Sequence, residues 1–168
     1  ADDTRQVVSA FIAENKVEIQ YIGQENQGMH GAHNTAYENI NTPLNTCIDS
    51  DDFMPVDAVE KILDKWKSIV DKEKYSGLVG LDADLDGNLI GSQFTTDTTT
   101  LEDFYLKGGT GDNKLVYRTE VMQKYPAYPL FPGGKDVGLG YKYLLAEQDL
   151  ELVTLKGMKV KPEGKLLK

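Results

Sequence analysis

Cysteine is nearly absent from this 168-residue chain: Cys47 is the single one, so no internal disulfide can form, and the chain fits a reducing compartment. Histidine is almost as scarce, with His30 and His33 the whole supply. An i, i+3 histidine pair without a third nitrogen or sulfur ligand makes a weak zinc site. No apolar run reaches about 18 residues, so no membrane-spanning helix is readable. The opening Ala1-Asp2-Asp3-Thr4 does not read as a signal peptide, and the missing initiator methionine reads as a processed or trimmed chain. Positive charge is in deficit, with a net charge of −9. That disfavours non-specific nucleic-acid binding but leaves room for a nucleotide whose phosphates a metal neutralises. Internal repeats and low-complexity segments are missing too. What is present, 40% hydrophobic and 27% charged residues, supplies one domain with a sizeable core.

Apolar periodicity predicts a helix over residues 2–15 with Val7, Val8, Phe11 and Ile12 as its stripe, and a strand over 17–22, where Val17, Ile19 and Tyr21 alternate with polar residues. A second helix is expected over 29–38 and a strand over 44–48, so the three pieces read as a right-handed parallel crossover unit. The strongest helical pattern follows Asp57, with Val59, Ile62, Leu63, Trp66, Ile69 and Val70 at helical spacing. Strands are expected at 77–81, 88–91, 114–117 and 150–155, and helices at 98–107, 119–124 and 141–148. The glycine-rich 108–113 and the proline- and glycine-rich 125–135 read as loops. In the latter, Tyr125, Tyr128 and Phe131 suit either a rigid surface loop or a wall for a sugar ring.

Chemistry concentrates where the 44–48 strand stops in Asp49-Ser50-Asp51-Asp52. Three carboxylates this close repel one another unless a positive charge sits among them, and a hard divalent cation with oxygen ligands is the natural neutraliser. The competing reading is a solvated turn ahead of the next helix. At the preceding strand-to-helix junction, Asn26-Gln27-Gly28-Met29-His30-Gly31-Ala32-His33-Asn34 would present backbone N–H groups to an anion. If both junctions open on one sheet edge, a metal-bound diphosphate fits between them. The run 82–89 matches the first half of an EF-hand loop, but Gln93 stands at the twelfth position, where a bidentate Glu is needed, so an acidic, Gly-closed β-turn is the better reading. Cys47 reads as a buried apolar filler.

Asn26-x-Gly28 through Ala32-x-Asn34, followed by a strand ending in Asp49-Ser50-Asp51-Asp52, resembles a family 2 glycosyltransferase with the GT-A fold. The start Asp2-Asp3-Thr4 is similar to the tail of that family's Asp-Asp-x-Ser-x-Asp-x-Thr loop. The resemblance is best over residues 1–70, while 114–155 look like the acceptor side of bacterial members that build cell-surface polysaccharides. It implies an α/β, Rossmann-like, mostly parallel sheet flanked by helices, one domain over 1–168, with a donor and metal half at 1–75 and an acceptor half at 76–168. The family pattern opens with a strand, a helix and a second strand; none precedes Ala1, so the expected sheet is N-terminally incomplete, the chain alone falls short of a full catalytic site, and the exposed edge invites a homo-oligomer.

The resemblance further implies an inverting hexosyltransferase that moves a sugar from a nucleotide-diphospho-sugar to a hydroxyl of a glycan or lipid-linked acceptor. Its place would be the cytoplasm, including the inner face of the membrane. Asp49 and Asp51 match the Asp-x-Asp motif that holds Mn2+ or Mg2+, with Asp51 the better choice for direct contact. Asn26, Gly28, His30, Asn34 and Asp49 match positions near the nucleotide and sugar. A second-half carboxylate would take the acceptor proton. Asp136 is the candidate, although the family pattern places an acid near Gly134; Glu147 and Asp149 are fallbacks. Two other readings stand beside this one: a nucleotidyltransferase of similar fold, for which no basic glycine-rich phosphate loop is found, and a calcium- or carbohydrate-binding module without catalysis. An inactive scaffold is the third.

Overall fold

The computed structural model describes residues 3–131, 134 and 137–163. Its organising element is β2, Tyr75–Asp84, ten residues with eight consecutive buried positions. A strand buried on both faces needs an unbroken apolar or small run rather than alternation, and Ser-Gly-Leu-Val-Gly-Leu supplies it. Around it lie β1 (Leu44–Asn45), β3 (Leu89–Ile90), β4 (Thr98–Thr99), β5 (Asn113–Arg118) and β6 (Glu151–Glu163). The six strands form one sheet in the order β1-β5-β2-β6-β4, with β3 pairing β2 off that path. Gly77 is required where β2 meets β5, because a Cβ there would lie 2.0 Å from the Val116 carbonyl oxygen.

Helices cover both faces. Leu78, Val116, Val153 and Leu155 point to one side, where α3 (Ala58–Ser68) packs Ala58 and Ile62 against them. Val79, Leu81, Tyr117 and Leu152 point to the other. There they meet Tyr37 of α2 (Gly28–Asn39), Phe104 of α4 (Leu101–Leu106), Val121 and Met122 of α5 (Thr119–Lys124), and Ala146 of α6 (Gly140–Ala146). The alternation along each strand sorts the two clusters, as the pleat demands.

The α/β class and flanking helices are as expected from the sequence, but the sheet is not mostly parallel. β2 and β6 form its parallel pair; β1–β5, β2–β3, β2–β5 and β4–β6 are antiparallel. The crossover unit is not formed either. β1 pairs with β5, and residues 17–22 run outside the sheet, with Val17, Tyr21 and Ile22 at 66%, 40% and 42% exposure. Alternation alone makes a segment competent to pair, yet a strand exists only when a neighbour takes its backbone bonds. The first helix, α1 (Thr4–Glu14), forms as expected but buries none of its residues, and its stripe residues Val7, Phe11 and Ile12 lie exposed. The EF-hand-like run is a hairpin turn between β2 and β3. Asp84 accepts the Asn88 backbone N–H at 2.7 Å and its side-chain amide at 2.9 Å, and Gly87 takes φ 82°.

Candidate active site

A cavity of about 670 Å³ opens between α2, residues 45–49, and the ends of β2, β5, α4 and α6. The first wall comes from α2 and the segment after β1. Met29, Ala32, His33, Ala36 and Tyr37 stand on α2 at one-turn spacing, and Cys47, Ile48 and Asp49 continue the wall. Short bonds hold that segment onto β5: Asn45 donates its amide to the Tyr117 carbonyl at 3.2 Å, Thr46 its hydroxyl to the Leu115 carbonyl at 2.7 Å, and Lys114 its ammonium to the Cys47 carbonyl at 2.5 Å. The expected 44–48 strand forms only over Leu44–Asn45, so Asp49 reaches the cavity from the irregular segment that these bonds hold onto β5.

The second wall is drawn from the later part of the chain: Asp82, Leu101, Tyr105, Asp112, Asn113, Leu139, Tyr117 and Tyr143. One buried carboxylate organises much of it. Glu147, 6% exposed, accepts the Tyr117 hydroxyl at 2.5 Å on one oxygen and the Leu101 backbone N–H at 2.6 Å on the other. Three lining elements, β5, α4 and α6, are thus tied to one group. Tyr143 stacks on Tyr117 with centroids 5.4 Å apart. Burial raises the Glu147 pKa, and its two accepted bonds pull the other way. Both oxygens are engaged behind the tyrosines, and Glu147 is not among the residues that line the cavity. Across the gap, Tyr143 has its pKa pushed up to about 12, first by burial and then by Cys47 and Asp49. The loop 108–113 is pinned at the rim: Gly91 and Gly111 meet backbone to backbone, and the Tyr105 hydroxyl donates to the Gly111 carbonyl at 3.0 Å.

His33 links the walls. It is buried, lies 5.8 Å from the Tyr37 ring and 6.2 Å from that of Tyr128, and burial lowers its pKa; Asp49 opposes that shift and Lys142 adds to it. Lys142 is 2% exposed, with its ammonium 4.8 Å from the centroid of Tyr37 and 5.9 Å from that of Tyr128. It donates to the carbonyls of Tyr125 and Pro126 at 3.3 and 3.4 Å.

The other sequence-derived positions are dispersed. Asp51 sits exposed on the turn closed by the Asp52 N–H on the Asp49 carbonyl at 3.0 Å. Asn26 accepts the Gly28 N–H at 3.0 Å, and Gly28 opens α2 at φ 80°. His30 is 1% exposed, and its Nε2 makes no hydrogen bond among the described residues. Asn34 is bonded both ways to the Tyr128 backbone, at 2.9 and 2.8 Å. Of these positions, Asp49 alone lines the cavity. Cys47, read as buried filler, is exposed at the cavity wall. Asp136 lies outside the described residues. The aromatic stretch 125–131 contributes a buried Tyr128 rather than a cavity wall, with Leu130 and Phe131 half exposed beyond it.

Residues 1–72 match the family model described as glycosyl transferase family 2. That stretch, less than half of the chain, is similar to family 2 glycosyltransferase sequences. It contains α1, α2, β1, the acidic turn and α3, and so supplies the first wall of the cavity. Over the whole chain the fold is similar to the crystal structure of S. aureus TarS 1-349, with a TM-score of 0.60 and 14% sequence identity. The match covers 98% of this chain and 48% of that one, so the chain spans about half the length of its structural neighbour. At that identity the likeness is one of fold, and it agrees with the GT-A-like class. No curated protein matches the chain in sequence. Among the described residues no helix is long and apolar enough to cross a membrane.

A divalent cation has one way to fit. Among the described residues no three histidine, cysteine or carboxylate side chains converge. Asp49 and Asp51 are hard oxygen donors two positions apart on one turn, and a pair of this kind suits Mg2+ or Mn2+ when substrate phosphates complete the shell. The donor chemistry thus agrees with a cation that arrives with a diphosphate. The second wall had weaker sequence signals. Asp82 follows an apolar run in the sequence just as Asp49 does, and Glu147, at the end of the last helix, stands four positions after Tyr143.

Proposed function

We propose that the chain is a metal-dependent, inverting hexosyltransferase domain that acts in cell-surface polysaccharide synthesis. The observation that carries this reading is that Asp49, within the family-matched stretch, shares one cavity with a tyrosine-lined wall large enough for a sugar. The nucleotide-diphospho-sugar would lie with its diphosphate against the 49–51 turn and its sugar toward Tyr117 and Tyr143. Asn26, Gly28, His30 and Asn34 would shape the nucleotide side, with residues 1–75 the donor half and 76–168 the acceptor half. Asp49 and Asp51 would hold Mn2+ or Mg2+, whose chemistry is to offset charge on the departing diphosphate.

In the reaction, a hydroxyl of a glycan or lipid-linked acceptor attacks the anomeric carbon from the face opposite the diphosphate. The new C–O bond forms as the bond to the phosphate oxygen breaks, the diphosphate leaves with the electron pair, and the configuration inverts. A carboxylate takes the hydroxyl proton, and general-base help of this kind contributes about 10²- to 10⁴-fold. Asp136 is the candidate; Leu139, three positions on, lines the cavity. Glu147 is better suited to holding the tyrosine wall.

The test is a donor-hydrolysis screen across nucleotide sugars with manganese, using the protein that contains this chain. Asp51→Ala should lower turnover by about 10²-fold or more, the scale of losing one electrostatic stabiliser of the departing charge, and chelation should do the same. Turnover that survives both changes would overturn the metal assignment.

A further inference from the structure

Among the described residues that line the cavity are four tyrosines, and their hydroxyls are in two states. Tyr117 donates to Glu147 and Tyr105 to the Gly111 carbonyl, so the protein itself takes up both of these. Tyr37, on α2, and Tyr143, on α6, make no hydrogen bond through their hydroxyls among the described residues. Neither oxygen is sealed in, so each can meet whatever enters the cavity. The two also converge. Tyr143 and Cys47 act on the Tyr37 hydroxyl, while Cys47 and Asp49 act on that of Tyr143. The Cys47 sulfur in turn lies 4.0 Å from the Asp49 carboxylate. The hydroxyls therefore come to the 47–49 segment from both walls. Each ring is fixed by a neighbour: the Lys142 ammonium lies 4.8 Å from the Tyr37 centroid, and Tyr117 stacks on Tyr143. Burial, above all, raises both phenols over the ordinary tyrosine value, so at neutral pH both keep their protons and can donate.

We propose that the hydroxyls of Tyr37 and Tyr143 are a pair of neutral donors that hold the departing diphosphate. The proposal rests on the glycosyl-transfer reading, which puts a diphosphate beside the 49–51 turn. As the bond from the anomeric carbon to the phosphate oxygen breaks, its electron pair stays on that oxygen. The two hydroxyls donate hydrogen bonds to the charge gathering there, and neither gives up its proton. Donors already in place for a charge that develops during the reaction favour the transition state over the bound substrate. A sugar hydroxyl is the other acceptor such bonds could find, and the two cases are separable.

Calorimetry makes the separation, with the protein that contains this chain, Mn2+, and uridine, guanosine and cytidine diphosphates with and without an attached sugar. Tyr143→Phe keeps the ring and its stack on Tyr117. It should weaken binding of the sugar-free nucleoside diphosphate about tenfold or more, as loss of a hydrogen bond to a charged group does. Tyr37→Phe should act in the same direction, and the double variant should lose more than either. Sugar-free diphosphate affinity that is unchanged in both variants overturns the proposal. So does a loss confined to the sugar-bearing nucleotide, which would put the hydroxyls on the sugar.

The second arm is turnover of the nucleotide sugar that the unaltered protein uses. In Tyr143→Phe, kcat should fall by a larger factor than the donor KM rises, because the charge appears only as the bond breaks. A higher KM at unchanged kcat overturns the proposal. The denaturation midpoint of each variant should stay in place, since neither hydroxyl bonds the protein; a large drop would assign the hydroxyls to the fold instead. If the unaltered protein binds no nucleoside diphosphate and turns over no nucleotide sugar, the glycosyl-transfer reading falls and takes this proposal with it. If it does both and the variants match it, the proposal alone falls.

Discussion

The two walls of the cavity are held by different physics. The α2 and 45–49 wall is pinned by hydrogen bonds from Asn45, Thr46 and Lys114, and it leaves its carboxylates at the surface, where Asp49 and Asp51 are both exposed. The wall of β5, α4 and α6 keeps its polar groups inside, with Tyr117, 2% exposed, bonded to Glu147, 6% exposed. An exposed carboxylate costs little to keep or remove, so such positions are available for chemistry. A buried one is bound up with the fold, and removing it strands the groups it served. The first wall should therefore fail in function before stability, and the second in stability before function.

Glu147→Ala is the change that tests this contrast hardest. It leaves the Tyr117 hydroxyl and the Leu101 N–H without their acceptor in a site closed to bulk water. Loss of about 2–4 kcal/mol is expected, at about 1–3 kcal/mol per stranded buried group with partial relaxation. Chemical denaturation would show it as a lower midpoint. Asp51→Asn should move the same midpoint by no more than about 0.5 kcal/mol, as surface substitutions do. Similar losses in the two variants would mean that the walls do not differ in this way.

A smaller effect is expected from pH. Burial raises the Glu147 pKa above the ordinary glutamate value, so the native chain keeps a proton that the unfolded chain has released. The group's contribution to stability is complete below the unfolded pKa and is lost as pH rises through the folded one. Glu147→Gln, similar in shape and uncharged, should remove that part of the slope. Urea midpoints recorded across the mildly acidic range would measure it, and an unchanged slope would place the pH dependence on other groups.

The same contrast explains what could be read from the sequence. Helices α1, α2, α3 and α5 and the strands β2 and β5 carry local signals: one-turn spacing, caps, or a short apolar run. The acidic turn is local as well, and it announced Asp49. By comparison, the Tyr117–Glu147 bond joins residues 30 apart, and the Asn34–Tyr128 pair spans 94. No window of neighbouring residues contains either of them. Pairing direction was hidden for the same reason, since β6 meets β2 from the far end of the chain. Residues 17–22 show the reverse error: a strand-like alternation with no ladder in the described residues to join. Asp82 was within reach, because it follows an apolar run in the sequence as Asp49 does, but its neighbours Asp84, Asp86 and Gly87 drew the reading toward a turn.

The finest test uses the group that stands between the walls. His33 is shifted by three influences: burial, which lowers its pKa most, Asp49, which raises it, and Lys142, which lowers it again. Removing the Asp49 charge leaves burial and Lys142 unopposed, so Asp49→Asn should move the His33 titration to lower pH. The chain has two histidines, which makes the imidazole C–H signals in a proton NMR titration simple to separate. The stability of the variant should change by no more than about 0.5 kcal/mol, since Asp49 is exposed. A His33 midpoint that stays fixed would mean that the Asp49 carboxylate does not act across the cavity, and the two walls would then have to be treated as electrostatically separate.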